Sequence, residues 1–498
     1  MLSLSKLFSD EKESIDREYP FLMLYLSCLS SSELDSRELH KAIASMKSVL
    51  GRIVEPFARL NLLVNVWAYE QIRAIGIVSK SVKHKALKGL LKRLADAISV
   101  GLGMKTFLKS EYDKFSITYT DEYKRVMDRL KVLCDAYVAL LTSVTVIAVS
   151  LIMVSLIFSF ATLQSIMWIV ALMMMSIAAS ITLFILKRSP YDKVVAEKPM
   201  RDPKIGGKER MAVILFVLSL AVPSISIILH YIGVKLPYVT PSQVMMLMGA
   251  VALYFGLVGR REVGRIKHMD EYAPIFMKSF GDALSISNSF KGALRIITSN
   301  DYGPLTPLVN RLHKRLELEL DPYKCMRAFE RESSSRLIYK TGEIFFSSLR
   351  MGARPTQTGT EVYNFLIVLM ELRKRREQVA GYLKGMLVPI QISTASLFAV
   401  LDTLVGLLAT LGTYARSYLN VLEISETRTL TLFLLSVILL LCISGALNIG
   451  GVEGDSPVTK LYYLGMLMLL SGGAFWATRF AVGEMFGFFM KINLLKGV

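Results

Sequence analysis

Residues able to do chemistry are sparse in this chain, and none is spaced for it. The five histidines (His40, His84, His230, His268, His313) stand far apart, with no His or Cys at ligand spacing. The cysteines (Cys28, Cys134, Cys325, Cys442) are equally scattered, so neither a disulfide framework nor a zinc site is expected. Gly206-Gly207-Lys208 comes nearest to a phosphate loop. It lacks the upstream glycine and a Ser/Thr after the lysine, and its surroundings are Pro-rich. No Gly-x-Ser-x-Gly occurs. These patterns predict no catalytic, metal-binding or cofactor-binding residue, and a chain that is not an enzyme.

What remains is charge. The formal net charge is +18, which suits a nucleic acid, an acidic protein or a membrane surface. The run Lys80, Lys83, Lys85, Lys88, Lys92, Arg93 lies on a helix with an apolar face and is not interleaved with aromatics, so no nucleic acid is expected. Arg201, Lys204 and Lys208 sit in a short Pro/Gly-rich segment, and Arg260, Arg261, Arg265 and Lys267 in a second cluster. Both flank apolar stretches, so these residues are candidate contacts to an acidic partner or to lipid head groups. Exposed charges are screened beyond about 8 Å at physiological salt, so only close contact counts. Asp402 is the one carboxylate inside a long apolar run. Such a group costs about 2.5–3.5 kcal/mol at mid-membrane; it is expected to face another helix or a dimer partner, or to sit wet at the interface.

The element that positions these charges is the stretch from Ala136 to Leu186, which holds no Asp, Glu, Lys or Arg. As helix it would run roughly 75 Å, more than two crossings of a ~30 Å hydrocarbon layer. It reads as spans Val138–Phe158 and Ile166–Leu186 joined by a polar turn. Further spans read as Met211–Ile232, Ser242–Val258, Gly385–Leu411, Thr429–Gly450 and Leu461–Thr478, about seven in all. Mean hydropathy is +0.45 with 20% charged residues, a mixture that suits a chain part embedded and part soluble. No apolar core of signal length precedes Asp10, so no cleaved signal peptide is expected.

Between the spans the period is helical. In the first soluble region Phe21, Leu22, Tyr25, Leu26 and Leu29 share a face, as do Leu60, Leu63, Val64 and Trp67. In the second, Leu305, Leu308, Val309, Leu312, Leu316 and Leu320 do so. The expected fold is an all-α membrane protein. Its parts are a cytoplasmic helical domain (1–135), a transmembrane hairpin (136–186), a basic loop (187–210), two spans (211–259), a second cytoplasmic helical domain (260–384), three spans (385–481) and a tail (482–498). Of 59 Lys and Arg, 22 lie in 1–135, 8 in 187–210 and 22 in 260–384, so a multi-pass protein of the cell membrane with these segments and its N-terminus on the cytoplasmic side is expected. Seven spans also put Gly451–Lys460 inside, although it holds Glu453 and Asp455 against Lys460. The two soluble regions look like loose copies: Phe21, a Ser-rich turn and Leu39-His40-Lys41-Ala42 against Phe276, Ser285–Ser289 and Lys291-Gly292-Ala293-Leu294.

Domain, spans, domain, spans, with the Phe276 to Leu294 start, the Phe345 to Gly352-Ala353 passage and the Arg373-Lys374-Arg375-Arg376 helix, resembles the type II secretion F family over residues 20 to 410. The four-span middle and the spans after Leu411 resemble its archaeal members, including archaellum platforms. The resemblance implies a non-catalytic platform of an archaellum or archaeal type IV pilus, for cell motility or protein secretion. It also implies the partners: a cytoplasmic hexameric secretion ATPase, pilin-like or archaellin-like subunits, membrane lipids and a second copy in a homodimer. A transporter or channel with large cytoplasmic domains is the alternative. It would need several ionisable groups within the membrane, and Asp402 is the main one.

Overall fold

A computed structural model describes residues 17–32, 34–157, 163–189, 194–195, 203–232, 240–415, 427–454 and 457–496. Seventeen α-helices follow one another among them. The first eight are α1 (17–29), α2 (Ser36–Ser45), α3 (Lys47–Leu50), α4 (Glu55–Asn61), α5 (Gln71–Ser81), α6 (Lys85–Ser99), α7 (Met104–Ile157) and α8 (Leu163–Arg188). Then come α9 (Pro203–Ile232), α10 (Pro241–Ser287), α11 (Phe290–Ile297), α12 (Thr306–Glu317), α13 (Pro322–Ser333) and α14 (Arg336–Arg350). The last three are α15 (Pro355–Ala415), α16 (Thr427–Glu453) and α17 (Pro457–Lys496). Among the described residues there is no strand, only an isolated bridge between Val195 and Ser335. The all-α expectation holds.

The chain divides into two units. Unit 1 is Met1–Lys124, Tyr191–Asp202 and Gly264–Arg373; unit 2 is Arg125–Pro190, Pro203–Val263 and Lys374–Val498. The divisions fall inside α7, α10 and α15, so the helices that finish the soluble regions continue as spans without a break. The basic segment is less of a loop than its prolines imply: Lys187 and Arg188 end α8, and Pro203, at the first position of α9, begins a helix that includes Lys204 and Lys208.

Unit 1 is a two-fold repeat in sequence position. Helices α4, α5, α6 and α7 begin at residues 55, 71, 85 and 104, and α12, α13, α14 and α15 at 306, 322, 336 and 355, each 251 later. The caps repeat too. Gly101 and Gly352 take φ +71° and +83°, where a Cβ would be strained. Leu102 N–H donates to Ala97 O and Gly101 N–H to Ile98 O. Ala353 N–H donates to Ser348 O and Gly352 N–H to Leu349 O. Both are Schellman caps. Val78 and Phe329, Leu87 and Ile338, and Leu94 and Phe345 fill matching buried positions. The core of the second copy is aromatic: Phe276 lies edge-on to Tyr302 and against Phe329, and Phe280 packs on Phe345. From Pro20 onward α1 is buried all round, and Phe21 reaches Phe365 while Tyr25 Oη bonds Ser347 Oγ at 3.0 Å.

Two side chains leave their predicted stripes. Trp67 is 66% exposed because residues Leu62–Val66 form a π turn, which shifts the register away from 3.6. Leu320 is 51% exposed because α12 ends at Glu317 and Glu319 turns to φ +58°.

Unit 2 holds the apolar helices. Six helices among the described residues are long and apolar enough to cross a membrane, in α7, α9, α10, α15, α16 and α17. The other predicted span, Ile166–Leu186, falls in α8, half of whose side chains lie outside the described residues. Val146 and Ile214 are 64% and 66% exposed, the solvent-facing apolar surface a lipid phase covers. Antiparallel α10 and α17 approach closely through glycines. A Cβ at Gly249 would stand 2.6 Å from Leu469 N, one at Gly256 2.5 Å from Tyr462 Cα, and one at Gly465 would strike the backbone of α10.

Candidate functional site

A polar cluster among the described residues of unit 2 lies where α16 ends and α17 begins. The last carbonyls of α16 have no partner within the helix, and they form the negative end of its dipole. Arg376 on α15 meets that need: Nε donates to Val452 O at 2.6 Å, and Nη2 donates to Ser189 Oγ at 2.8 Å. Ser189 Oγ, just past α8, donates to Gly451 O at 2.6 Å. The turn residue Gly454 has φ +73°, and a Cβ there would run into the Arg376 guanidinium.

Acidic Glu453 is held in the same cluster. Tyr463 Oη donates to it at 2.6 Å and Lys384 Nζ pairs with it at 3.1 Å. Arg260 of α10 lies over the ring of Tyr462 at 4.5 Å, a cation–π contact. The acidic turn that ran against the charge rule thus takes its positive charge from Arg376 and Lys384. The end of α8, Arg260, the 376–384 stretch of α15 and the α16–α17 turn all lie at one end of unit 2.

The sequence-derived contact residues divide accordingly. Arg260 is half-buried against the tyrosines, while Arg261 is exposed. Arg265 is exposed and Lys267 half-buried, on the part of α10 that belongs to unit 1. Arg201 lies outside the described residues, and only the backbone of Lys204 and Lys208 is described.

Asp402 is buried. Thr431 Oγ1 of α16 donates to its Oδ1 at 2.5 Å, and Arg479 Nη1 of α17 stands 3.3 Å from its Oδ2. Of the expected alternatives, the structure has the carboxylate facing helices of its own chain. One acid therefore joins three helices, with half-exposed Arg479 as counter-ion. Among the described residues, no group of three His, Cys, Asp or Glu could hold a metal ion.

Two relatives resemble this chain along most of its sequence. Flagella accessory protein J of Methanocaldococcus jannaschii is 23% identical over 490 residues, covering 96% of this chain and 86% of that protein. Flagella accessory protein J of Methanococcus voltae is 24% identical over 420 residues, 80% of this chain and 73% of that protein. The chain is similar to flagella accessory protein J over most of its length. No family model and no solved structure matches it. The similarity runs through both units, and it bears out the type II secretion F resemblance read from the residues.

Sequence reasoning missed Arg376, Lys384 and Tyr463. Arg376 was visible only as part of a basic helix. The signal that could have singled it out is Gly454, directly after Glu453: a glycine ending an apolar helix marks a carbonyl terminus that a cation can cap.

Proposed function

We propose that the chain is the non-catalytic membrane platform of an archaellum, coupling a cytoplasmic hexameric secretion ATPase to the assembly of archaellin-like subunits. The observation that carries this is similarity to flagella accessory protein J across 96% of the chain, which takes in the repeated helical unit and the spans together. The rest is physical inference. No residue set among the described residues is arranged for catalysis, so the work of moving subunits comes from a partner. The coupling surface is basic, with Arg261 and Arg265 exposed on α10 as its described members and Arg201, Lys204 and Lys208 as its further ones. The Lys/Arg asymmetry supports a cytoplasmic unit 1 and N-terminus. A homodimer and bound lipids complete the set of partners.

The experiment is deletion of the gene and complementation in its own cell. Loss of filaments with archaellin-like subunits still made and inserted, restored by the wild-type chain, is the expected result. Normal filaments in the deletion strain would end this reading. Reversing Arg261 and Arg265 to Glu should weaken a pull-down of the purified ATPase most at low salt. Binding unchanged across a salt series would remove this surface from the coupling.

A further inference from the structure

The start of α7 in unit 2 and the end of α8 enclose a groove of about 450 Å³, a size typical of small-ligand sites. Its wall is apolar, with Val126, Val132 and Leu133 from α7 and Phe184 from α8. Arg129 and Arg188 line it as well. The one acid in the lining, Asp128, already accepts from Arg375 Nη2 at 2.8 Å. Among the described residues neither Arg129 nor Arg188 has a carboxylate partner; Arg188 lies over the Phe184 ring at 5.4 Å. The groove therefore holds two guanidinium charges with no acid among the described residues to balance them.

The order of residues along the helices gives the groove a direction. The uncharged run begins on α7 at Ala136 and ends on α8 at Leu186. Leu133 and Phe184 lie beside or inside that run. Arg129 and Arg188 each stand four residues farther out, about 6 Å along the helix. On both helices the apolar group is nearer the hydrocarbon and the arginine farther from it. The head-group layer extends roughly 5–8 Å beyond the hydrocarbon on each side, which matches the step from apolar wall to cations.

We propose that this groove is a binding site for an anionic phospholipid, with the phosphate on Arg129 and Arg188 and the upper acyl chain along Leu133, Phe184 and Val132. An acidic peptide would meet the arginines and leave the apolar wall wet. A zwitterionic lipid would cover the wall and leave the two charges unbalanced. The platform reading counts lipids among its partners but does not depend on this groove, so the two readings stand or fall separately.

The test uses the full-length protein in mixed micelles holding dioleoylphosphatidylglycerol and dioleoylphosphatidylcholine in equal amounts, with retained lipid read by native mass spectrometry. Two arginines at an anionic surface are together worth a factor of roughly thirty, so phosphatidylglycerol should be retained by about that preference. Arg129→Gln with Arg188→Gln should remove most of it. Val132→Trp, at a position 65% exposed and so tolerant of bulk, should lower phosphatidylglycerol retention with both arginines in place. Lys314→Gln, exposed on α12 and outside the groove, should change nothing. Equal retention of the two lipids by the wild type would overturn the proposal, as would an unchanged preference in the double variant. Displacement of phosphatidylglycerol by inorganic phosphate would reduce the groove to a simple anion site. Retention of neither lipid, with Val132→Cys shielded from maleimide, would show that protein covers it.

Discussion

Glu330 carries the most informative side chain outside the membrane. It is buried in unit 1, and among the described residues neither carboxyl oxygen has a hydrogen-bond partner. Burial pushes its pKa well above the usual 4.5, and the charge of Glu343 adds to this while Arg327 opposes it. Gly342 on α14 leaves the space it occupies, since a Cβ there would strike Oε1. The matching residue of the first copy, 251 positions earlier, is buried Ser79. Because the folded state favours the protonated acid, its contribution to stability is complete below about pH 4.5 and is lost as pH rises through the raised value. Glu330→Gln keeps the shape without the charge. It should raise the unfolding temperature at pH 8 and leave it nearly unchanged at pH 4; equal gains at both would contradict a buried titrating acid. Asp402 predicts a coupling instead. Asp402→Ala should lower stability in nanodiscs more than Asp402→Asn, which can still accept from Thr431. A double-mutant cycle of Asp402→Ala with Arg479→Ala should give an interaction of about 0.5–2 kcal/mol. Additive losses would mean that the ion pair contributes nothing.

At the scale of elements, helices were legible and their partners were not. The stripe Leu305 to Leu316 is buried as its period predicts, because one face of a helix in a bundle has to be apolar whatever it packs against. Trp67 and Leu320 escaped because a π turn and a left-handed residue leave no periodic trace. The repeat was only loosely visible because matching positions preserve burial and not identity: Leu94 answers to Phe345, and Ala97 to Ser348. Asp402 was legible as a lone acid, but its counter-ion lies on another helix far along the chain. The groove was invisible, since its lining residues stand at the two ends of the hairpin, about fifty positions apart in sequence. The contact of α10 with α17 gives a test at this scale. At Gly465 a Cβ would meet the backbone of α10, whereas at Gly381 on α15 nothing lies within 4 Å. Gly465→Ala should cost about 1–3 kcal/mol by overpacking. Gly381→Ala should gain roughly 0.5–1 kcal/mol, as helix-interior glycines do. Thermal unfolding of both in one detergent checks the pair, and a harmless Gly465→Ala would deny the close approach.

For the whole molecule the question is which ends of the spans share a side, and unit 2 answers it without reference to charge counting. Arg376 bonds both Ser189 at the end of α8 and the carbonyls at the end of α16, so those ends lie together. Lys384 at the entry to the α15 span pairs with Glu453, so between Lys384 and Gly454 the chain crosses out and back. Thr240 immediately precedes α10, one span away from Arg260, and Arg260 rests on Tyr462 of the same turn region. Thr240 and Pro457 must then face opposite sides. The Lys/Arg asymmetry predicts the direction: Pro457 inside and Thr240 outside. Both are exposed, and the four native cysteines are buried, so an introduced thiol reports with little background. Thr240→Cys in intact cells should react with a membrane-impermeant maleimide, and Pro457→Cys only with a permeant one. Ser99→Cys and Ser299→Cys in unit 1, both exposed, should behave like Pro457→Cys. Reaction of 240 and 457 from the same side would break the span order. Opposite sides with 457 outside would keep the structure and invert the charge-derived orientation, moving the basic surface away from any cytoplasmic ATPase.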